Sequence, residues 1–375
     1  MSQRRSSCYS CMEDKYAKER TFAMHENLIK GAVYGFAYGD AWGRGTEFVP
    51  FSQIMNEGTP FPDQALVTDD TQMSLYAIAA IMYEASMNPE ALKGLHYDEK
   101  KRNTVRVLFA DSFVEFADDP DNYRAPGTTC MNALRSYQQF KRITSDPDEL
   151  TGMEGVVRDS KGCGANMRSG WLGLLPLEEP DIINLAILQS ETTHGHPLAL
   201  ASSVLTALTL RAVISGEIIP RQGHYYDWAI NKISDLESRV FLFRNNSAGE
   251  WNPDYGKGLT MLKEFLENKK EQVINFANSE SSQDICSFLG EGWVAEEAYL
   301  CALLGADYSP LDPVEGLERL VRSNGDSDSL AAIGGQFIGA FDGFKVFPEE
   351  WENQLEPRYR EELQEVVDFL VRINN

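Results

Sequence analysis

Glycines stand at 31, 35 and 39, and a second set at 335 and 339, each four residues from the next. On an α-helix that spacing puts them on one stripe. Each glycine inside a helix costs about 1 kcal/mol of propensity relative to alanine, so two such stripes point to tight helix crossings in which backbones approach closely. Helical periodicity runs through the remaining sequence. Thr71 to Ala85 places Met73, Ala77, Ile78, Ile81 and Met82 on one side, and Leu198 to Ile214 and Leu363 to Val371 repeat the spacing. Strictly alternating β-branched segments are scarce, and no strand-loop-helix unit carries a phosphate-binding glycine pattern. The expected class is all-α, a single compact multi-helix domain over residues 22–375. Turn chemistry collects at Pro60 to Asp63, Asp118 to Gly127, Ser145 to Asp148, Glu178 to Asp181 and Asn245 to Gly258. Residues 1–21 read as an extension, flexible and charged, with little to bury.

Charge narrows the partners. With 34 Lys and Arg against 57 Asp and Glu, the 375-residue chain carries a net charge of −23. Phosphate backbones repel such a surface, which excludes general nucleic-acid binding through a basic face. Acidic turns can still hold cations. No apolar run is expected to reach the roughly 18 to 20 residues that cross a bilayer, since Leu28 to Trp42 contains Lys30 and Asp40. Met1 to Arg20 lacks the apolar centre of a secretory signal, so the expectation is a soluble cytoplasmic protein without a membrane partner. Six cysteines, at 8, 11, 130, 163, 286 and 301, are scattered as reduced thiols are, and the C-x-x-C at Cys8 and Cys11 has no second pair to complete a zinc ribbon.

Two acidic turns carry the chemistry. In Val67-Thr68-Asp69-Asp70-Thr71-Gln72-Met73 adjacent carboxylates flanked by hydroxyls open a helix. Capping accounts for such residues, because hydroxyl and carboxylate oxygens accept from unpaired N–H groups and complement the macrodipole. Asn324-Gly325-Asp326-Ser327-Asp328-Ser329 opens a second helix, Leu330 to Phe341, with several hard oxygen donors that suit Mg²⁺ or Mn²⁺. It is not an EF-hand, lacking that loop's glycine and terminal glutamate. If the turns face each other, four aspartates repel unless cations sit between them, which predicts a binuclear metal site. Glu47 is a third acidic candidate, shortly after Gly39-Asp40-Ala41-Trp42-Gly43. Between the turns, Asp159 to Arg168 contains small residues whose amides can form a nest for phosphates, or simply mark a helix-to-loop transition. His194 and His196 precede another helix; two histidines do not complete a zinc site, and contact with an organic ligand suits them better.

Taken together, these segments resemble the ADP-ribosylglycohydrolase family. The landmarks run in the family's order: Gly31 to Gly43, Thr68 to Met73, Arg124 to Gly127, Gly162 to Arg168, Thr193-His194, Gly292 to Glu297 and Gly325 to Ile333. The resemblance implies an all-α fold with two Mg²⁺ or Mn²⁺ ions at the base of an ADP-ribose cleft. Carried over by position, Thr68, Asp69, Asp70, Asp326, Asp328 and Ser329 would be metal ligands. Ser160 with Gly162, Cys163, Gly164 and Ala165 would cradle the diphosphate or distal ribose, and His194 would contact the ligand. The chain departs from the family at Ser329, where threonine is usual, at Asn324 before Gly325, and at Cys163, where asparagine is common.

The activity the resemblance implies is hydrolysis of the bond between the anomeric carbon of ADP-ribose and a protein side chain, first of all the guanidino nitrogen of arginine. The cations would hold the ribose hydroxyls and acidify a water, with Glu47 or Asp69 as its catalytic base. Serine, O-acetyl-ADP-ribose or a nucleotide base are the neighbouring acceptors. A different class of function is an immunity protein whose extension occupies the active site of an ADP-ribosylating toxin. An aspartate-rich isoprenoid enzyme fits less well, because Met73 stands where its D-D-x-x-D pattern needs an acid.

Overall fold

The computed structural model describes residues 25–374 except 145, 147–148, 220–222, 240–254, 281 and 308–311. The extension over 1–21, Cys8 and Cys11, and most of the turns expected at Ser145 to Asp148 and Asn245 to Gly258 lie outside the described residues.

Sixteen α-helices form among the described residues. They are α1 (25–43), α2 (Phe51–Glu57), α3 (Asp69–Met87), α4 (Glu99–Asp118), α5 (Thr128–Ile143), α6 (Glu179–Ser190), α7 (Pro197–Ile214) and α8 (His224–Ser238). There follow α9 (Tyr255–Asn268), α10 (Lys270–Ala277), α11 (Cys286–Leu289), α12 (Ala295–Asp307), α13 (Pro313–Val321), α14 (Ser327–Asp342), α15 (Glu350–Gln354) and α16 (Pro357–Ile373). Extended backbone occurs only as isolated bridges among these residues, such as Val157 to His194 and Gly162 to Val294. The all-α expectation holds, and the three periodic segments lie within α3, α7 and α16. The turn expected at Glu178 to Asp181 is instead the first turn of α6: Pro180 sits where a missing N–H costs nothing, and Glu179 and Asp181 complement the helix dipole.

The glycine stripes meet each other. A Cβ on Gly31 would lie 2.2 Å from the Gly339 carbonyl oxygen, one on Gly35 2.3 Å from that of Gly335, one on Gly39 2.0 Å from that of Ala331, and one on Gly43 2.4 Å from that of Ser327. Rising positions on one helix pair with falling positions on the other, so α1 and α14 run antiparallel in backbone contact along their whole shared length. This crossing brings the C-terminal end of α1 to the N-terminal end of α14.

One apolar cluster, from Ile29 to Leu370, surrounds that pair. At its centre α7 packs against α6, α9, α12 and α14. This helix corrects one expectation from the sequence: Pro197–Ile214 is long and apolar enough to cross a membrane, with mean hydropathy 1.7. Its hydrophobicity is used internally, since 83% of that stretch is buried in the fold, as befits a helix apolar on all sides.

Candidate metal centre and ligand cleft

The two acidic turns and the segment after α1 converge. Thr68 caps α3, its hydroxyl accepting from the Asp70 amide at 3.3 Å, and both Asp69 and Asp70 are buried in the first turn. Asp326 stands at the N-cap position of α14 without a side-chain capping bond, and Asp328 and Ser329 are buried in its first turn. Carboxylate oxygens of Glu47, Asp326 and Asp328 lie within 4.8 Å of one another. Burial raises the carboxyls of Asp69 and Asp70, and the charge of Asp328 raises both further, so the two turns face each other. Glu47, on the shallow side, is pushed up to about 9 by burial and then by Asp328 and Asp69.

This is the electrostatics of a cation site. Several carboxylates brought together out of water repel one another, and only protons or cations relieve the repulsion. One oxygen of Asp70, Oδ1, is buried without a hydrogen-bond partner, a lone-pair donor that the protein leaves for something else. All donors in the group are hard oxygens, the set preferred by Mg²⁺, Mn²⁺ and Ca²⁺ over softer metals. Among the residues expected as ligands, Thr68 is committed in part: its hydroxyl donates to Asp40 Oδ1 at 2.7 Å while capping α3. The Ser329 amide donates to Asp328 Oδ1 at 2.9 Å and fixes that carboxylate.

Asp40 is the residue that sequence reasoning passed over. It is fully buried on α1 and accepts from the Thr68 amide at 3.0 Å, the Thr71 amide at 3.0 Å and the Thr71 hydroxyl at 2.5 Å, besides the Thr68 hydroxyl. Its carboxyl is raised to about 7 by burial and by Asp328, against the pull of those donors. Asp40 thereby ties α1 to the N-terminus of α3 and orients the turn that presents Asp69 and Asp70. The signal was present: a carboxylate next to a glycine of the stripe, in a run from Gly31 to Gly43 that holds no other charge.

Beside the acidic group lies the loop from Ser160 to Arg168. It is stitched on one side to α7's approach, where the Val157 amide donates to the Thr193 carbonyl at 2.9 Å and the Gly195 amide to the Val157 carbonyl at 3.0 Å. On the other side the Cys163 amide donates to the Trp293 carbonyl at 3.1 Å and the Ala295 amide to the Lys161 carbonyl at 2.9 Å. Lys161 also pairs with the buried carboxylate of Glu296. The Cys163 amide is therefore engaged within the protein, and its buried thiol is raised by desolvation. Gly162 and Gly164 flank the His194 ring: a Cβ on Gly162 would approach Nε2 to 3.3 Å, and one on Gly164 would approach Cε1 to 3.2 Å. The paired glycines leave a notch in front of the ring. Ser160 Oγ lies 3.2 Å from Thr129 Oγ1 at its edge. His196, by contrast, caps α7, its Nδ1 accepting from the Leu198 amide at 3.2 Å.

At the rim, Phe48 adopts a left-handed backbone with φ 62° and is mostly exposed. Its ring stacks on Trp293 with centroids 5.5 Å apart. The pair joins the Glu47 segment to the segment leading into α12.

Comparison with known proteins places the chain as a whole. Residues 23–374 match the model of the ADP-ribosylglycohydrolase family. The chain is 27% identical over 360 residues to the ADP-ribosylhydrolase ARH3 of Bos taurus, covering 90% of each protein. It is 26% identical to the human ADP-ribosylhydrolase ARH3, again over 90% of each. The uncharacterized protein YegU of Escherichia coli is 26% identical, over 92% of this chain and 95% of that one. Among solved structures, an ADP-ribosylglycohydrolase-related protein complex superposes with a TM-score of 0.57 at 23% identity, over 94% of this chain and 99% of its own, which is a likeness of fold. With its whole helical core matched, the chain belongs to the ADP-ribosylglycohydrolase family.

Proposed function

We propose that this protein is a divalent-cation-dependent hydrolase that cleaves the glycosidic bond between the anomeric carbon of ADP-ribose and a protein acceptor. The observation that carries the reading is the convergence of Glu47, Asp326 and Asp328 opposite Asp69 and Asp70, beside a glycine-lined notch. Asp69, Asp70, Asp326 and Asp328 would hold the cations, with Thr68 and Ser329 completing the oxygen set. Divalent cations supply polarisation of substrate oxygens and acidification of water. The amides of Gly164 and Ala165, with Ser160 and His194, would hold the diphosphate or distal ribose. Glu47, on the open side of the acidic group, would orient the attacking water and take its proton, with Asp69 held in place by the Gly127 amide at 3.3 Å as the alternative base.

The acceptor is the finer part of the proposal. Arginine is the acceptor expected from the sequence resemblance. An O-linked acceptor, serine or acetate, is the second reading. It is favoured by the likeness to ADP-ribosylhydrolase ARH3 proteins, whose names carry ADP-ribosyl hydrolysis without arginine. A panel of arginine-linked, serine-linked and acetyl-linked ADP-ribose, assayed with EDTA, Mg²⁺ or Mn²⁺, separates the two. Turnover should need the cation, and Glu47→Gln should lower kcat by about 10²- to 10⁴-fold. Undiminished release of ADP-ribose in EDTA, or by an Asp69→Ala plus Asp328→Ala enzyme, would remove the cation-dependent mechanism.

A further inference from the structure

Arg168 is a buried cation with an unusual set of neighbours. Its side chain is 1% exposed, and no carboxylate pairs with it among the described residues. The guanidinium is held by neutral oxygens: Nε donates to Gln189 Oε1 at 2.7 Å, Nη1 to the Gly164 carbonyl at 2.8 Å, and Nη2 to the Gln189 carbonyl at 3.0 Å. The Phe113 ring lies 4.2 Å below its carbon. Leaving a guanidinium in an apolar core without a counter-ion is costly, so what its donors reach matters.

Nη2 also donates to Thr193 Oγ1 at 2.8 Å, and Thr193 Oγ1 lies 2.9 Å from His194 Nδ1. A guanidinium nitrogen can only donate. Thr193 therefore accepts from Arg168 and has its own proton to give; His194 Nδ1 lies within hydrogen-bond distance of it, and the buried Cys130 thiol is the competing acceptor. A ring that accepts at Nδ1 carries its proton on Nε2. That nitrogen has no hydrogen-bond partner among the described residues and looks into the notch left by Gly162 and Gly164.

We propose that Arg168 and Thr193 are positioning residues that lock His194 in the tautomer with its proton on Nε2, making the ring a fixed N–H donor to an anionic diphosphate oxygen in the glycine-lined notch. The identity of the ligand rests on the function proposed above; the tautomer does not. Polarity is what the relay decides. The opposite tautomer would aim a lone pair at an anionic oxygen beside the Gly164 and Ala165 amides and repel it. An imidazolium would also donate, but burial and the nearby Arg168 push His194 down to about 3, so the ring is neutral at physiological pH and its tautomer governs. The same guanidinium holds the Gly164 carbonyl, so one side chain sets both the loop and the ring across from it.

The test is long-range ¹H–¹⁵N correlation on ¹⁵N-histidine-labelled full-length protein without ligand, with His194 assigned by loss of its signals in His194→Gln. The wild-type ring should show the Nε2–H pattern, Thr193→Ser should keep it, and the near-isosteric Thr193→Val should shift it toward a mixture. Affinity for free ADP-ribose should fall about tenfold in Thr193→Val, as for one lost hydrogen bond, and recover within about twofold in Thr193→Ser. A wild-type ring protonated on Nδ1 overturns the proposal, as does a Thr193→Val protein with unchanged tautomer and affinity. If all forms fail to bind ADP-ribose while the tautomer shifts as expected, the relay stands and the ligand assignment falls.

Discussion

Asp328 is the carboxylate whose charge the rest of the cluster feels. It is 4% exposed, and its charge raises the carboxyls of Asp40, Glu47, Asp69 and Asp70. In protein stripped of divalent ions this is stored repulsion, so Asp328→Asn should raise the stability of the EDTA-treated protein by about 1 kcal/mol. The same substitution should abolish the thermal shift that millimolar Mn²⁺ gives the wild type, because a ligand that binds only the folded state stabilises it by mass action. Differential scanning fluorimetry with and without Mn²⁺ measures both. A variant less stable than wild type in EDTA would mean that Asp328 is held by protein partners rather than set aside for a cation. At this scale the sequence was legible where residues that offer hard oxygens sit side by side, as in Thr68-Asp69-Asp70. It was silent on Asp40 and Arg168, whose partners are distant: Asp40 acts through Thr68 and Thr71, 28 and 31 positions on. Asp40, the one charge between Gly31 and Gly43, is the kind of trace such a residue leaves in a sequence.

The α1–α14 crossing converts helix packing into site geometry. Asp40 and Glu47 depend on the end of α1, and Asp328 rides on the start of α14. The four glycines of α1 set the spacing, since a Cβ at each would first meet a backbone oxygen of α14. Gly39→Ala should separate the helices next to Asp40, costing about 3 kcal/mol in urea denaturation, and should weaken Mn²⁺ binding measured calorimetrically. Gly58→Ala, where the new Cβ meets nothing within 4 Å, carries only the backbone strain of φ 76° and should leave Mn²⁺ affinity unchanged. Equal Mn²⁺ affinity in both variants would show that the crossing does not set the site. The glycine spacing gave tight crossings from sequence, yet not which stripe meets which, because period and handedness are local while pairing is a choice made by the whole core. The α14 start was expected at Leu330 and lies at Ser327, within the acidic turn itself. There the residues proposed to hold a cation also open the helix, and the two signals overlap.

Over the whole molecule, acidity works in two opposed ways. A net charge of −23 makes the folded state repel itself near neutral pH. Individual carboxylates nevertheless tie distant parts of the chain together. The clearest is Asp119, at the end of α4, which takes two hydrogen bonds from Arg358 of α16 at 2.9 and 2.6 Å and one from the Tyr76 hydroxyl of α3 at 2.6 Å. Arg124 does the same toward Glu356, at 2.5 and 2.7 Å, so paired charges fasten the last helix over α3 and α4. Arg358, chiefly by its hydrogen bonds, holds the Asp119 carboxyl well below the usual carboxylate range. A depressed folded value contributes stability above the unfolded value of about 3.9 and loses it as pH falls through the folded one. Arg358 is 38% exposed, which discounts the pair to about 1–2 kcal/mol. Asp119→Asn should therefore be less stable than wild type by that amount at pH 7 in urea denaturation. The gap should stay flat down to about pH 4 and close steadily below it. Taking the difference at each pH cancels both the global repulsion and the acidic cluster, which titrate alike in the two proteins. A gap that instead widened as pH fell toward 4 would mean that Asp119 is protonated in the fold before it is in the unfolded chain, and that the clasp draws nothing from its charge.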